Sequence, residues 1–250
     1  MVVVIYHFKI IDSTNREALC LAEYGAAHGT VIYAERQTGG KGRGGRQFMS
    51  PPGGLYFSVI VRPQLDINKL ALVTLAAGVG VCQEIAIRTA LQVELKWPND
   101  LYIKGRKLGG ILTETAPMSQ GEPPDFLVIG IGINVSTELS WFPSFLRDRV
   151  ISLYHAGVDQ PLSIESLLSP LAERVISTVK LLESDSAGVL ALWQKRDYLR
   201  GRSVEYVGQS GTVSATGVGL AEDGQYIIRD CKGIEHSILA GDINPISLQR

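Results

Sequence analysis

Residues 37–48, QTGGKGRGGRQF, combine five glycines with the cations Lys41, Arg43 and Arg46 in a protein that is otherwise close to neutral. Glycine lets a backbone come close to a ligand, but it increases the entropy that is lost when a loop becomes ordered. Three like charges add repulsion to that loss. The composition therefore predicts a loop that is ordered by an anionic partner, and the alternative is a solvated surface turn.

The same loop contains a formal G-x-G-x-x-G, formed by Gly40, Gly42 and Gly45. A dinucleotide-binding loop requires this pattern to open a helix, whose N-terminus then holds the pyrophosphate. Here residues 51–54, PPGG, prevent a helix from beginning, and the G-K-[ST] of a phosphate-binding loop does not follow. What remains is a loop that brings cationic side chains and backbone N–H groups to an anion.

Two further stretches place cations beside a turn or beside paired glycines. Residues 96–100, KWPND, end a predicted strand, where they would also make an ordinary turn. Residues 106–114, RKLGGILTE, place Lys107 ahead of Gly109 and Gly110 on a predicted hairpin. Paired glycines on a strand indicate a place where a ligand or another backbone approaches closely. A solvated lysine is the alternative for Lys107.

Polar side chains at two other places could fix a neutral ligand. In residues 12–15, DSTN, the spacing of Thr14 and Glu17 is that of a capping box, which predicts a helix over residues 15–24. The hydroxyls and the amide that capping leaves free are the groups needed to hold a ureido or amide ring. Asn134, after the apolar run GIGI, could cap a strand end or contact a base edge.

The rest of the sequence places these stretches on a mixture of strands and helices. Apolar and β-branched runs predict strands, apolar residues at helical spacing predict helices, and Gly105 predicts a hairpin turn. The predicted strands cover residues 2–10, 31–36, 55–63 and 126–135, and the predicted helices cover 15–24, 70–90, 164–183 and 188–199. After Gly201, short alternating segments between glycine-containing turns predict a small all-β barrel of about five strands. The fold class is therefore α+β, with a boundary near residue 200.

The composition argues against several classes of protein. The 250 residues carry 24 Lys and Arg against 25 Asp and Glu, and a net charge of −1 gives no general attraction to nucleic acid or to an anionic membrane. No apolar run approaches the roughly 18–20 residues of a membrane span, and the apolar start has no basic leader. The three cysteines are far apart and form no His/Cys cluster for zinc. We expect a cytoplasmic protein with reduced thiols.

The order of these motifs carries more information than each motif alone. S-T-N is followed by Q-x-x-G-K-G-R-x-G-R, K-W-P-N-D, R-K-L-x-G-I-L-x-E and G-x-G-x-N. From about residue 11 to the C-terminus, the sequence resembles the biotin protein ligases, which are biotin–acetyl-CoA-carboxylase ligases. The resemblance implies a catalytic domain over residues 1–200, related to class II aminoacyl-tRNA synthetases, with a mixed sheet flanked by helices. An SH3-like β-barrel domain would follow over residues 201–250.

The resemblance also implies a reaction in two steps. Biotin and ATP, with Mg²⁺ accompanying the nucleotide, give biotinyl-5′-AMP and pyrophosphate, and biotin then passes to a lysine of a biotin carboxyl carrier protein. By motif, the biotin-binding residues would be Ser13, Thr14, Asn15, Gln37, Gly40, Lys41, Gly42, Arg43 and Lys107. The residues that bind ATP or the adenylate would be Lys41, Arg43, Arg46, Phe48, Lys96, Trp97, Asn99, Asp100 and Asn134. Lys107, Arg43 and Asp100 would be catalytic, and no metal held by the protein itself is expected.

The family motifs give several of these residues a role. Because a carboxylate attacks the α-phosphate, catalysis depends on cations that are already in place. Lys107 would stabilise negative charge in both steps, and Asp100 would orient, and could deprotonate, the incoming amine. Asn134 would contact adenine, and Phe48 would stack on it where the family often has tryptophan. The glycine-rich loop would be a lid, disordered when empty, that closes over both substrates.

Two departures from the common family pattern are visible. Lys41 replaces a frequent arginine and so exchanges a bidentate fork for a point charge. The chain also starts a few residues before S-T-N, which leaves no room for the N-terminal winged helix of bifunctional members, so we expect no repressor activity. Family members can form homodimers through strands of the catalytic domain, and the sequence leaves that possibility open.

Two other functions fit parts of the sequence. A lipoate ligase or octanoyltransferase on the related fold would lack the pairing of K-W-P-N-D with R-K-L-x-G-I-L, and pyrophosphate release with biotin but not with lipoate would separate the two. A nucleic-acid-binding protein would use the glycine- and arginine-rich loop and the C-terminal strands. Its binding would depend steeply on salt, which is hard to reconcile with a net charge of −1.

Overall fold

The computed structural model describes residues 4–116, 123–158, 162–208 and 211–246. The fold is a mixed α+β fold built on two sheets. The first sheet and its helices contain, in chain order, β1 (Ile5–Ile11), α1 (Thr14–Glu23), β2 (Val31–Gln37), β3 (Gly54–Val61), α2 (Leu72–Thr89), β4 (Glu94–Lys96), β5 (Asp100–Ile103), β6 (Arg106–Glu114), β7 (Leu127–Asn134), α3 (Ser144–Arg147), α4 (Ile164–Leu181) and α5 (Ser186–Gln194). Short 3₁₀ turns lie at Arg43–Gly45, Ile67–Lys69 and Leu139–Trp141.

The seven strands form a mixed sheet in the order β1-β2-β3-β7-β6-β5-β4. β1 and β2 are parallel, and the other neighbours are antiparallel. β3 and β7 lie at the centre and are buried at every position, because helices cover both faces of the sheet. Helix α1 packs on one face, where Ala18 and Ala22 meet Ile32 and Val128. Helices α2 and α4 pack against each other on the opposite face.

Helix α2 belongs to the core. Of the described residues, it forms the one helix that is long and apolar enough to cross a membrane, and 67% of it is buried inside the fold. Its two glycines allow close packing: a Cβ at Gly80 would lie 3.0 Å from the carbonyl oxygen of Arg174 on α4, and a Cβ at Gly78 would lie 3.0 Å from Leu95 Cδ2. The two glycines therefore let α2 approach both α4 and β4.

The second sheet has five antiparallel strands, as the sequence predicts, and is called the C-terminal sheet below. Its strands are β8 (Ser203–Gly208), β9 (Gly211–Leu220), β10 (Tyr226–Asp230), β11 (Glu235–Ile238) and β12 (Ile243–Pro245), in the spatial order β11-β10-β9-β8-β12. The sheet is held against the first unit by buried contacts. Trp97 Nε1 donates to the carbonyl oxygen of Gly224 at 3.0 Å, and Tyr226 Oη donates to Asp197 at 2.8 Å.

Two predicted details differ from the structure. The N-cap of α1 is Ser13, whose hydroxyl accepts from the backbone N–H of Arg16, so the capping box predicted from Thr14 is wrong. Thr14 instead turns inward to other side chains. Helix α5 also ends earlier than predicted, because residues 196–198 pair with β4 through hydrogen bonds to Leu95. The start of the first predicted strand, residues 2–3, lies outside the described residues.

Candidate functional site

A cavity of about 320 Å³ lies between the central strands, the glycine-rich loop and the C-terminal sheet. Most of the residues that the sequence motifs single out line it: Ser13, Thr14, Asn15, Gln37, Lys41, Gly42, Arg43, Arg46, Phe48, Lys96, Trp97, Asn99, Asp100 and Lys107. Segments that are far apart in the chain therefore meet at one place. Gly40 and Asn134 are predicted site residues that do not line this cavity.

Lys107 and Asp100 form an ion pair at the wall of the cavity. They lie on the adjacent strands β6 and β5, with 2.6 Å between Lys107 Nζ and Asp100 Oδ1. Their side chains are 35% and 19% exposed. An ammonium group has three hydrogens, so Lys107 keeps two donors for a ligand while Asp100 fixes its position. The pair can thus present a positive charge and a carboxylate to the same reacting group.

Lys96 is a second cation at the cavity and is buried. Its Nζ donates to Asn244 Oδ1 of the C-terminal sheet at 2.9 Å and lies 5.7 Å from the centre of the Tyr102 ring. Burial lowers the pKa of the Lys96 ammonium, and the nearby Asp100 carboxylate opposes that shift. An anionic ligand would also raise the pKa, because it stabilises the charged form.

The glycine loop, defined as residues 37–48, has a definite conformation. Lys41 pairs with Gln47 across its two arms, and a 3₁₀ turn forms its tip. Arg46 makes two hydrogen bonds to the carboxylate of Asp242, of 2.7 and 3.0 Å, and Arg43 donates to the carbonyl oxygen of Gly241 at 3.4 Å. Hydrogen bonding by Arg46 lowers the pKa of Asp242. The tip of the loop is therefore tied to the C-terminal sheet.

Phe48, at the end of the loop, lies over two glycines of the central sheet. A Cβ at Gly132 of β7 would clash with the Phe48 ring, and a Cβ at Gly110 of β6 would lie 3.7 Å from it. The ring also meets Tyr56 edge to face, with 6.4 Å between centroids. The close approach of an aromatic ring thus explains Gly132 in the fully buried strand β7, which is a role that glycine inside strands often has.

A buried polar network lies beneath the other end of the cavity. Thr14 N donates to Gln37 Oε1 at 2.8 Å, and Gln37 Nε2 donates to Ser50 Oγ at 2.9 Å. The Ser58 hydroxyl lies 2.8 Å from Thr14 Oγ1 and 2.6 Å from Asn15 Oδ1. The motif residues are therefore linked to one another through side chains that no motif contains.

Asn15 is held entirely by the protein. Its Nδ2 donates to the carbonyl oxygen of Leu112 at 3.2 Å and to Glu114 Oε2 at 2.7 Å, while its Oδ1 faces Ser58. Both amide hydrogens are used in these bonds. The amide does not have a free N–H for a ligand ring, which differs from the direct contact that the motif implies.

Two other amides have structural partners as well. Asn134 is buried and donates to the carbonyl oxygen of Ile151 at 3.1 Å, so this hydrogen bond holds a neighbouring segment in place. Asn99 lines the cavity, and its Nδ2 donates to the carbonyl oxygen of Ile111 at 2.8 Å, which fixes the turn onto β6.

Gly40 and Trp97 serve packing within the protein. A Cβ at Gly40 would lie 2.5 Å from the carbonyl oxygen of Phe48, so this glycine lets the two arms of the loop meet. Trp97 borders the cavity, but its indole N–H is bound to Gly224, and its ring packs 6.0 Å from that of Tyr226. It holds the C-terminal sheet in place.

Several residues of the site have no counterpart in the sequence motifs. They are the side chains that hold the motif residues in place: Ser50, Ser58, Asp242 and Asn244. Ser58 could have been found, because a lone serine in the buried run GLYFSVIV must have hydrogen-bond partners. Asp242 and Asn244 carry no such signal, because polar residues beside glycine-containing turns are common in this part of the sequence.

A mixed α+β fold with a cavity lined by cations and by a buried polar network defines an enzyme-like site that can bind an anion beside a neutral polar group. The model of the biotin/lipoate A/B protein ligase family matches residues 7–134. The chain therefore belongs to the biotin/lipoate A/B protein ligase family.

Curated proteins and solved structures agree with this membership. The chain is 32% identical over 243 residues to the bifunctional ligase/repressor BirA of Bacillus subtilis, covering 96% of this chain and 73% of that protein. It is 36% identical over 155 residues to the biotin–[acetyl-CoA-carboxylase] ligase of Mycobacterium tuberculosis, covering 60% of this chain and 54% of that protein. It matches the structure of a biotin protein ligase from Aquifex aeolicus in complex with biotin and ATP, with a TM-score of 0.81, 30% identity, and coverage of 96% of this chain and 97% of that chain.

Proposed function

We propose that the chain is an ATP-dependent biotin protein ligase. It activates biotin to biotinyl-5′-AMP with release of pyrophosphate, and it then transfers biotin to a lysine of the biotin carboxyl carrier protein of acetyl-CoA carboxylase. The observation that carries the proposal is the Lys107–Asp100 ion pair, which shares one cavity with the cationic loop and with the polar network around Thr14.

In the first step, a carboxylate oxygen of biotin forms a bond with the α-phosphorus of ATP, and the bond from that phosphorus to the bridging oxygen of pyrophosphate breaks. Both reactants are anions, so the barrier falls when cations are fixed where charge accumulates. Lys107 and Lys96 line this part of the cavity, and Arg43 lines it from the loop. Mg²⁺ would accompany the nucleotide and offset charge on its phosphates.

In the second step, the amine of the acceptor lysine attacks the carbonyl carbon of the mixed anhydride. The bond to the phosphate oxygen breaks, AMP leaves, and the proton that the amine loses passes to Asp100 or to water. Asp100 is placed to accept a hydrogen bond from that amine, because its carboxylate lies at the cavity wall and only one of its oxygens is bound to Lys107. Lys107 stabilises the charge that returns to the departing phosphate.

The finer expectations about the whole protein also belong to this proposal. Residues 1–200 would form a catalytic domain of the class II synthetase type, and residues 201–250 a small SH3-like barrel. The protein would act in the cytoplasm. The edge strand β1, most of whose residues are exposed, is compatible with a homodimer that pairs through strands of the first sheet.

The test is a reaction of the full chain with biotin, MgATP and a purified carrier domain. Mass spectrometry should find biotin on one lysine of the carrier, and pyrophosphate should be released with biotin but not with lipoate. Because the family includes both biotin and lipoate ligases, turnover with lipoate alone would replace this proposal by the second activity. Absence of turnover with either acid would contradict both.

A further inference from the structure

Asn15 has a fixed orientation in the polar network. Its Nδ2 faces the carbonyl oxygen of Leu112 and the carboxylate of Glu114, at 3.2 and 2.7 Å, and an ionised carboxylate and a carbonyl oxygen only accept hydrogen bonds. A reversed amide would place Oδ1 against two acceptors. It would also bring Nδ2 against the Ser58 hydroxyl. The amide oxygen of Asn15 must therefore face Ser58.

The orientation of the Asn15 amide fixes the direction of the hydrogen bond between Ser58 and Thr14. The Ser58 side chain is fully buried, and its one hydroxyl hydrogen has two oxygen neighbours, Asn15 Oδ1 at 2.6 Å and Thr14 Oγ1 at 2.8 Å. Asn15 Oδ1 cannot donate, so the hydrogen of Ser58 goes to it. The short contact between the two hydroxyl oxygens is then favourable only when Thr14 donates to Ser58.

Thr14 consequently keeps no hydrogen for a ligand. The second acceptor within its reach, Gln37 Oε1 at 3.1 Å, also belongs to the protein. Whether Thr14 donates to Ser58 or to Gln37, its hydroxyl hydrogen is bound within the protein. Because Thr14 lines the cavity, its oxygen presents a lone pair to whatever binds there.

Gly130 closes the network from the side of β7. The amide of Asn15 lies directly against Gly130, where any Cβ would clash with the amide oxygen and nitrogen. The amide is thus confined between the strand backbone and Glu114. This confinement explains why a glycine stands in a strand that is buried at every position.

We propose that Ser58 and Glu114 are positioning residues that make Thr14 a selective acceptor for a ligand N–H group. The inference rests on the proposed function, in which the ligand carries a cyclic urea with two N–H donors and one carbonyl acceptor. A ring that turns an oxygen or an alkyl group toward Thr14 leaves a buried lone pair without a partner. Sites of this kind discriminate strongly against such analogues.

The test measures biotin-dependent exchange of pyrophosphate into ATP by the full chain, with KM for biotin, KM for ATP and kcat determined separately. Ser58→Ala is expected to raise KM for biotin about tenfold, since it leaves Asn15 Oδ1 without its donor and removes one of the two hydrogen bonds that fix the Thr14 hydroxyl. KM for ATP should stay within about twofold, because Ser58 does not line the cavity and its network contacts β6 at Leu112 and Glu114, at least five positions along the strand from Lys107. Glu114→Gln, which retains the shape of the side chain, should raise KM for biotin about threefold.

Thr113→Val is the matched control. It removes a hydroxyl that is bonded to Thr74 at 2.8 Å, one residue from Glu114 and on the opposite face of β6. It should lower stability without changing KM for biotin. A purely structural role of Ser58 would give the same pattern as this control, and that result would overturn the inference.

The remaining outcomes are also decisive. If Ser58→Ala does not fold, the Glu114→Gln result decides, and an unchanged KM for biotin overturns the inference while the proposed function stands. Equal increases in KM for biotin and for ATP would indicate a general disturbance and would overturn it too. A wild-type chain without biotin-dependent exchange would overturn the proposed function together with this inference.

Discussion

Arg46 and Asp242 are separated by 196 positions in the chain and form a bidentate ion pair, with nitrogen–oxygen distances of 2.7 and 3.0 Å. The pair joins the tip of the glycine loop to the turn before β12. The side chains are 60% and 43% exposed, so solvent screens the pair, and exposed pairs stabilise by about 0.2–1 kcal/mol. An interaction of that strength holds the loop near the cavity and is readily broken.

Replacing Asp242 by asparagine should loosen the loop. Asp242→Asn removes the charge that holds Arg46, and we expect trypsin to cleave after Arg43 and Arg46 about two- to fivefold faster, as the loss of up to about 1 kcal/mol implies. Addition of biotin and ATP should slow cleavage in the wild type. Asp230→Asn is the control, because Asp230 accepts bonds from the turn at residues 232–234, outside the cavity. Equal cleavage in all three proteins would contradict the link.

Lys107→Ala should abolish most turnover while leaving the fold intact. The side chain is partly exposed, and its role is to place positive charge beside the reacting phosphate, so its loss should lower kcat by about 10²–10³. Lys180→Ala on the surface of α4 removes the same groups away from the cavity and should leave kcat unchanged. Thermal unfolding of both variants should match the wild type. Wild-type kcat in Lys107→Ala would refute the role given to this lysine.

Gly132→Ala should disturb the floor of the cavity under Phe48. The added methyl group would overlap the ring, which must then move into the cavity. We expect KM for ATP to rise about tenfold, by analogy with other overpacked sites that lose roughly 1–3 kcal/mol. Gly39→Ala is the matched control, since a Cβ there makes only an ordinary 3.4 Å contact with the carbonyl oxygen of Asp12. An unchanged KM for ATP in Gly132→Ala would exclude Phe48 from the nucleotide site.

Asp197 should make stability depend on pH. Burial raises the pKa of Asp197 from 3.8 to about 6, so between these values the folded chain binds more protons than the unfolded chain. The stabilisation is complete below about pH 4 and is lost as the pH rises through 6, amounting to about 3 kcal/mol at most. Urea unfolding at several pH values should show this decline in the wild type and a weaker one in Asp197→Asn.

Tyr226→Phe gives a second test of how the pKa of Asp197 affects stability. The hydrogen bond from Tyr226 opposes the effect of burial and lowers the pKa of Asp197. Tyr226→Phe removes that bond, so the stability of this variant should fall at a higher pH than that of the wild type. A stability difference between wild type and Asp197→Asn that does not change with pH would contradict the assignment.

The sequence was sufficient to predict the elements and the convergence of the main motifs. Strands with a strong apolar pattern, such as β3 and β7, and the long helix α2 lie close to where they were predicted, because local pattern and burial agree there. Lys107 and Asp100 were expected at one site, and the hairpin that joins β5 and β6 brings them within 2.6 Å.

The sequence was not sufficient to predict which polar groups are free. An amide such as Asn15 or Asn134 is equally able to bind a ligand or a neighbouring backbone, and only the fold decides that both of them bind the protein. The contributions of Asp242 and Asn244 depend on how the C-terminal sheet docks. That arrangement follows from long-range packing, for which a short motif carries no signal.

The packing of the C-terminal sheet against α2 has a practical consequence for deletion experiments. A Cβ at Gly224 would lie 2.6 Å from Leu72 Cδ2 and 3.1 Å from Leu75 Cδ1, and Trp97 is covered by the same turn. Truncation of the chain near residue 200 would expose apolar side chains of α2 and promote aggregation. Single replacements along the strip from Gly241 to Asn244 are therefore the cleaner way to learn what the second unit adds to catalysis.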